Sequence, residues 1–339
     1  MNKNNIGYIL MVVSFPVWSM GIVIPFLPVS ANVKAIGAGS FIALGEIFFW
    51  VGGLLAGPAV IAKFRKPKVR TGRSYKNKTV AVFGATGGIG RAVCEALIRE
   101  GAIVFGFGRN TKSLSELKKS LPEIQTVQLE SFLDEAIQSS LPENLYFDHA
   151  IIAIGKDERK SLSEHSFSEI QGLMHTNMLA TMQISKMITN SMRSGTIGVI
   201  GGFGDGRLAL PFYSVDVATR AGISAFVLSM NREFKQLGKE ITMQYICPAP
   251  TDTIAESKYS SLWKEMGSPV QAVGKTADFI LAAVLSGNAI SIMGWQNAWI
   301  SRINNVSNRL ADCIALDKVG KLLKNAFGKN PMYFHLEKK

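Results

Sequence analysis

Thr79-Val80-Ala81-Val82-Phe83-Gly84-Ala85-Thr86-Gly87-Gly88-Ile89-Gly90 is the stretch on which the reading of this 339-residue chain turns. Thr79 to Phe83 is a short, mostly apolar run that ends at glycine, as a strand covered on both faces of a parallel sheet would. Arg91-Ala92-Val93-Cys94-Glu95-Ala96-Leu97-Ile98 continues it with a helical pattern. Strand, glycine-rich turn and helix in this order make a cradle for a pyrophosphate. The glycines let the backbone approach, and the helix start offers N–H groups and the positive end of its dipole. Gly84, Thr86, Gly87, Gly88, Ile89 and Gly90 are therefore candidate cofactor contacts. A glycine string alone is weak evidence; the flanking strand and helix make it specific.

A second strand, Ile103 to Phe107, runs into Gly108-Arg109-Asn110. An arginine at this strand end suits a 2′-phosphate, whereas an acid would suit the bare ribose. Arg109 thus tilts the expected cofactor toward NADP, with NAD possible; the plain alternative is a solvated surface arginine. These units predict an α/β fold, a Rossmann-like doubly wound parallel sheet.

Upstream the composition changes. The chain carries a net charge of +12, and residues 1–78 hold ten Lys/Arg against the single acid Glu46, leaving 27 basic and 24 acidic residues beyond. Ile6 to Val29 has no charge and Ala35 to Ala62 only Glu46. Each exceeds the roughly 20 apolar residues that cross a bilayer core. Ser30 to Lys34 links them, so the expectation is a transmembrane hairpin over 1–63 followed by a basic linker over 64–78. Lys63, Arg65, Lys66, Lys68, Arg70, Arg73, Lys76 and Lys78 place both hairpin ends on the cytosolic side of an inner membrane, with the sheet domain following there. A competing reading takes residues 1–31 as a cleaved signal peptide ending at Val29-Ser30-Ala31, which still leaves the second span as an anchor. Glu46 is either a functional ionisable group at membrane depth or a hydrogen-bonded strut; no second ionisable partner in the spans favours the strut. Gly53 and Gly57 form a GxxxG step that permits close packing. The stretch 6–66 also resembles a small two-helix module of bacterial membrane proteins, of the transporter-suffix type. The resemblance rests on Phe15-Pro16-Val17-Trp18, Pro25-Phe26-Leu27-Pro28 and Gly45-Glu46-Ile47-Phe48-Phe49-Trp50, and it implies a bacterial inner membrane. Basic charge gathered beside apolar spans argues for a lipid partner and against nucleic acid. Three scattered cysteines, Cys94, Cys247 and Cys313, offer neither a disulfide framework nor a zinc site.

The spacing Gly84-x-x-x-Gly88-x-Gly90 resembles that of the short-chain dehydrogenase/reductase family, over about residues 78–290. Later landmarks agree in order. Glu130, after Val127-Gln128-Leu129, stands where the resemblance implies an acid near the adenine. Asp148 to Gly155 is similar to the family's fourth strand, with Ile152 and Ala153 where two asparagines are usual. Asn177 matches the asparagine that holds a proton-relay water. Thr196 to Ile200 matches strand five, and Pro248 to Thr253 the run that faces the nicotinamide, with Ala249 in place of glycine.

The resemblance also implies a Ser, a Tyr and a Lys four residues after the Tyr. Here strand five ends in Gly201-Gly202-Phe203-Gly204, and four residues beyond Tyr213 stands Val217. The helix body registers best with Arg220 in the Lys position and Asp216 in the Tyr position. Asn177, Tyr213, Asp216 and Arg220 are then the candidate catalytic residues; Gly155 and Thr253 join the cofactor set. In one reading Asp216 or Tyr213 handles the proton, Tyr213 sharing a helix face with Arg220 seven residues on. In the other, Asp216 and Arg220 are an i,i+4 ion pair and the usual proton chemistry is lost.

Residues 79–293 make up the expected sheet domain and 294–339 a tail. Trp299, Ile303, Val306 and Leu310 form an apolar stripe opposite Arg302, Arg309, Lys318, Lys321 and Lys324. The tail either lies on a membrane and covers an apolar substrate site or packs on the domain's own core. The functional expectation is a membrane-anchored NAD(P)-dependent oxidoreductase acting on an apolar carbonyl or alcohol. Its alternative is a catalytically degenerate dinucleotide-binding sensor or scaffold. Helices near 167–193 and 212–237 are apolar enough to permit a homodimer.

Overall fold

The computed structural model describes residues 3–64, 74–132, 145–202 and 206–328. Of the sequence readings, Arg65 to Arg73 of the basic linker, Phe203-Gly204 and the end of the tail lie outside these residues, as do the side chains of Lys63 and Lys318. The chain divides into two compact units after Lys68.

The first unit is a helical hairpin of α1 (Lys3–Val23) and α2 (Ala31–Phe64). Two windows, Ile6–Phe26 and Ala31–Gly53, are long and apolar enough to cross a membrane, with mean hydropathies of 2.1 and 1.6. The reversal lies earlier than the sequence suggests. Pro25 opens a 3-10 turn at Ile24–Phe26, and Ala31 to Lys34 is already the first turn of α2, Lys34 N–H donating to the Ser30 carbonyl at 3.0 Å. The close approach also uses other glycines than Gly53. A Cβ on Gly53 would meet nothing, whereas one on Gly45 would lie 2.3 Å from Trp18 and one on Gly52 2.8 Å from the Gly7 carbonyl oxygen. Gly45 and Gly52 are two turns apart, so they present one face to α1. Trp18 packs on Phe49 with ring centroids 5.4 Å apart and planes tilted by 34°. Glu46 accepts a hydrogen bond from the Trp50 indole N–H at 2.8 Å, one turn on. Val12, Phe15, Ile36 and Trp50 point outward and are exposed.

The second unit is a seven-stranded parallel sheet: β1 (Thr79–Phe83), β2 (Ile103–Gly108), β3 (Gln125–Gln128), β4 (His149–Ile152), β5 (Ser194–Ile200), β6 (Glu240–Cys247) and β7 (Ile290–Ile292). The order β3-β2-β1-β4-β5-β6-β7 reverses between β1 and β4. Alternation along the strands builds two cores. Val80, Val82, Val104 and Ile151 face α3 (Gly88–Arg99), α4 (Thr111–Ser120) and α10 (Val273–Ser286). Phe83, Phe107, Ile152 and Val199 face α6 (Ala180–Asn190) and α7 (Ser214–Gln236). Between α5 (Phe167–Leu173) and α6 the helix widens to a π turn, Met174–Leu179. Short helices α8 (Ile254–Ser257) and α9 (Ser260–Glu265) follow β6. The tail forms α11 (Trp295–Val306), α12 (Asn308–Leu316) and α13 (Lys318–Phe327). The tail belongs to the same compact unit as the sheet, with Leu323 and Phe327 buried against Tyr213 and Trp263. Packing on the domain's own core therefore holds for α13, while Trp295, Trp299, Val306 and Leu310 stay exposed.

Candidate functional site

The carboxyl ends of β1 and β4 frame the point where the strand order reverses, and ligands of open α/β sheets bind there. The glycines of the β1–α3 turn are fixed by contacts. Gly84 has φ +81°, and a Cβ on it would lie 2.8 Å from the Ala153 carbonyl oxygen. A Cβ on Gly90 would lie 2.1 Å from the Gly84 carbonyl oxygen. These two shape the turn itself. A Cβ on Gly88 would meet Thr253 at 2.7 Å, so its bareness admits a residue from the loop after β6. Gly87 has room, its Cβ falling 3.4 Å from the nearest atom. Thr86, Gly87 and Gly88 are exposed and Ile89 half-buried. The first N–H groups of α3 have no carbonyl four residues back and are free for an anion. This cradle fits a dinucleotide pyrophosphate.

Arg109 follows β2, beside the turn. Its exposed guanidinium lies 5.7 Å over the Phe132 ring. Glu130, after β3, is exposed on the same strand ends. Gly155 lies beyond β4, where a Cβ would sit 3.1 Å from an Arg220 Nη atom.

Three of the four catalytic candidates meet. The Asn177 side chain accepts from the Lys156 N–H at 2.8 Å and donates to the Lys156 carbonyl at 2.9 Å, which clamps the β4 loop to the π turn. The same amide donates to Asp216 at 3.3 Å and Thr219 at 3.2 Å. Asp216 and Arg220 form an ion pair at 3.3 Å, their side chains 10% and 14% exposed. Burial disfavours the Arg220 charge, but Asp216, Tyr245 and Asp157 outweigh it and hold the guanidinium cationic.

Tyr213 is elsewhere. It precedes α7 with φ −117° and ψ 12°, so the helical-face argument that pairs it with Arg220 does not hold. Its ring packs edge-on against Phe327 at 6.0 Å. Its hydroxyl is buried with no hydrogen-bond partner among the described residues. Burial above all pushes its pKa well up, and the phenol stays protonated.

Two features have no local sequence signal. The first is Tyr245 of β6. Its hydroxyl accepts from the Gly202 N–H at 3.2 Å, and a Cβ on Gly201 would lie 2.2 Å from its ring. A Cβ on Gly202 would lie 3.3 Å from the Arg220 stem. Tyr245 and Arg220 thus fill the corner at the end of β5. The second is a latch around Arg159, which pairs with Asp157 and Glu256. Its guanidinium lies 5.5, 5.0 and 5.3 Å from the Tyr213, Tyr259 and Trp263 rings. Trp263 N–H donates to Glu256 at 2.7 Å. Desolvation pushes the Asp157 carboxyl up to about 6 despite Arg159. About a third of that side chain (36%) still meets solvent.

Fold and turn define a dinucleotide-binding protein of the doubly wound class. The short chain dehydrogenase family profile matches residues 78–262, and the chain belongs to that family. A ketoacyl reductase, HetN, of Nostoc sp. is 26% identical over 186 residues, 50% of this chain and 62% of its own length. A 3-oxoacyl-[acyl-carrier-protein] reductase, FabG, of Salmonella typhimurium is 26% identical over 188 residues, 53% of this chain and 76% of its own. The chain spans only 62% and 58% of the Nostoc reductase and of a Bos taurus dehydrogenase/reductase, SDR family member 7B. A Burkholderia cenocepacia short chain dehydrogenase solved with NADP shares the fold at 19% identity, with a TM-score of 0.62 over 72% of this chain and 99% of its own.

Proposed function

We propose that this chain is a membrane-tethered, NADP(H)-dependent oxidoreductase acting on an apolar carbonyl or alcohol. The observation that carries the reading is the intact glycine cradle, opposed across the strand ends by the buried Asn177–Asp216–Arg220 array. Gly84, Thr86, Gly87, Gly88, Ile89 and Gly90 would hold the pyrophosphate, Arg109 the 2′-phosphate, and Glu130, Gly155 and Thr253 the remaining edges. The nicotinamide supplies or takes the hydride when bound. Asp216 handles the proton at its carboxylate, because it is the ionisable group of this array that can change charge. Arg220 holds that carboxylate and Asn177 fixes the loop beneath it. The exposed apolar faces of α1 and α2 support a lipid partner, and the basic run after them supports a cytosolic sheet domain. Phe167, Met174 and Leu179, exposed along α5 and the π turn, leave a surface on which two copies would pair.

The test is reduction of a panel of apolar ketones by the full chain in nanodiscs, with Asp216→Asn beside it. Turnover lost in the variant with NADPH binding kept supports the assignment; unchanged turnover removes Asp216 from it. Arg109→Asp is expected to shift the NADPH-over-NADH preference about tenfold or more, the worth of a charged hydrogen bond. An unaltered ratio would remove Arg109. A second reading, a silent dinucleotide sensor, draws on the Asp216–Arg220 pair, which satisfies itself without a substrate. NADPH binding with no turnover on any substrate would favour it.

A further inference from the structure

Beyond the matched family region, the tail closes two neighbouring hollows against the stretch that follows α9. The first encloses about 280 Å³ and is apolar, walled by Leu208, Leu210, Met266, Ile300, Ala311 and Val319. Trp295 and Trp299 stand on its rim, 73% and 56% exposed. The second encloses about 380 Å³ and shares Gly267, Ser268, Trp295, Gln296 and Asn297 with the first. Lys275 lines it, in the first turn of α10, and forms no ion pair among the described residues. Among the described residues, no acid lines either hollow.

An apolar hollow of this kind gives water few partners, whereas an alkyl chain gains from each methylene it buries. Lys275 next door, set at a helix start, asks for a negative group. The indoles between them suit a molecule that is apolar at one end and wet at the other. We propose that the paired hollows bind a single-chain anionic amphiphile, its alkyl chain among Leu208, Met266, Ala311 and Val319 and its head at Lys275. Trp295, Trp299, Ile300, Ala311 and Val319 lie outside residues 78–262 and Leu208 and Leu210 inside them, so the site joins the tail to the family region. Leu210, Met266 and Val319 also pack into the aromatic cluster around Tyr213. That the amphiphile is the oxidoreductase substrate rests on the reading above; its binding does not.

The test is photolabelling of the full chain in nanodiscs, without nucleotide, by a medium-chain fatty acid with a terminal diazirine, and mapping of the adducts by mass spectrometry. The expected result is saturable labelling of the Leu208–Leu210 and Ile300–Val319 walls, displaced by unlabelled fatty acid. Ala311→Trp should abolish it by filling the hollow. Lys275→Glu, an exposed change that leaves the core intact, should weaken the acid about tenfold while sparing the corresponding fatty alcohol probe. Labelling that does not saturate, or that falls only on α1 and α2 or the exposed tail face, would overturn the site. Equal effects of Lys275→Glu on acid and alcohol would overturn the head-group assignment. NADPH binding measured on the same sample separates the two readings. Labelling without NADPH binding keeps the amphiphile site and ends the reductase; the converse ends the site alone.

Discussion

The two halves of the strand-end cleft are built from different materials. On the β1 side, the cradle is backbone: positive φ at Gly84, a Cβ-free approach at Gly90, and free N–H groups at the start of α3. On the α7 side, the proposed reacting face is side chain: Asn177, Asp216, Arg220 and, under the loop, Tyr245. A backbone site tolerates no substitution at its tightest points and stays readable as a motif. A side-chain site can be re-dressed on the same helix, and the Asp216–Arg220 pair of α7 is held by side-chain contacts alone.

Substitutions can break this contrast. Gly90→Val should have the largest effect, because its Cβ would overlap the Gly84 carbonyl oxygen at 2.1 Å. We expect a loss of about 3 kcal/mol or more in thermal unfolding, together with loss of NADPH binding. A normal melt would show that the turn can relax. Arg220→Met leaves Asp216 buried without its cation and should cost about 3 kcal/mol, the low end for a broken buried pair because both side chains keep some exposure. A cost near zero would mean that the pair is ornamental to stability.

Asp157 sharpens the comparison through pH. Its folded pKa of about 6 lies above the ordinary 3.8, so the proton stabilises the fold. That contribution is full below pH 3.8 and is lost as pH rises through 6. Asp157→Asn should therefore gain on the wild type between about pH 4 and pH 6.5. Discounted for exposure, the gain is about 1 kcal/mol. A constant difference across that range in parallel melts would contradict the shift. The smallest effect belongs to Gly87→Ala: with φ −77° and free space for its Cβ, the variant should melt within about 0.5 kcal/mol of wild type. A large loss would show that Gly87 holds the turn as Gly84 and Gly90 do.

The same contrast explains what could be read in advance. The strand–turn–helix of 79–99 is legible because its physics is local: an apolar run, glycines at steric pinch points, a helix start. The Arg159 latch is not legible, because Asp157, Tyr213, Glu256, Trp263 and Phe327 come together from four separate stretches of chain. Tyr213 misleads for a related reason. Seven residues from Arg220 implies a shared face only inside the helix, and α7 begins one residue later, at Ser214. In the hairpin, Gly53 begins the familiar spacing yet faces open space, whereas the close approach to α1 falls at Gly45 and Gly52.

The most direct test of the central claim is a calorimetric titration of the nanodisc-embedded full chain with NADPH, beside Gly88→Trp. The account predicts saturable binding within about 1 µM–1 mM, abolished in the variant, where an indole would displace Thr253 and fill the cradle. No heat of binding in the wild type, or equal binding in the variant, would contradict it.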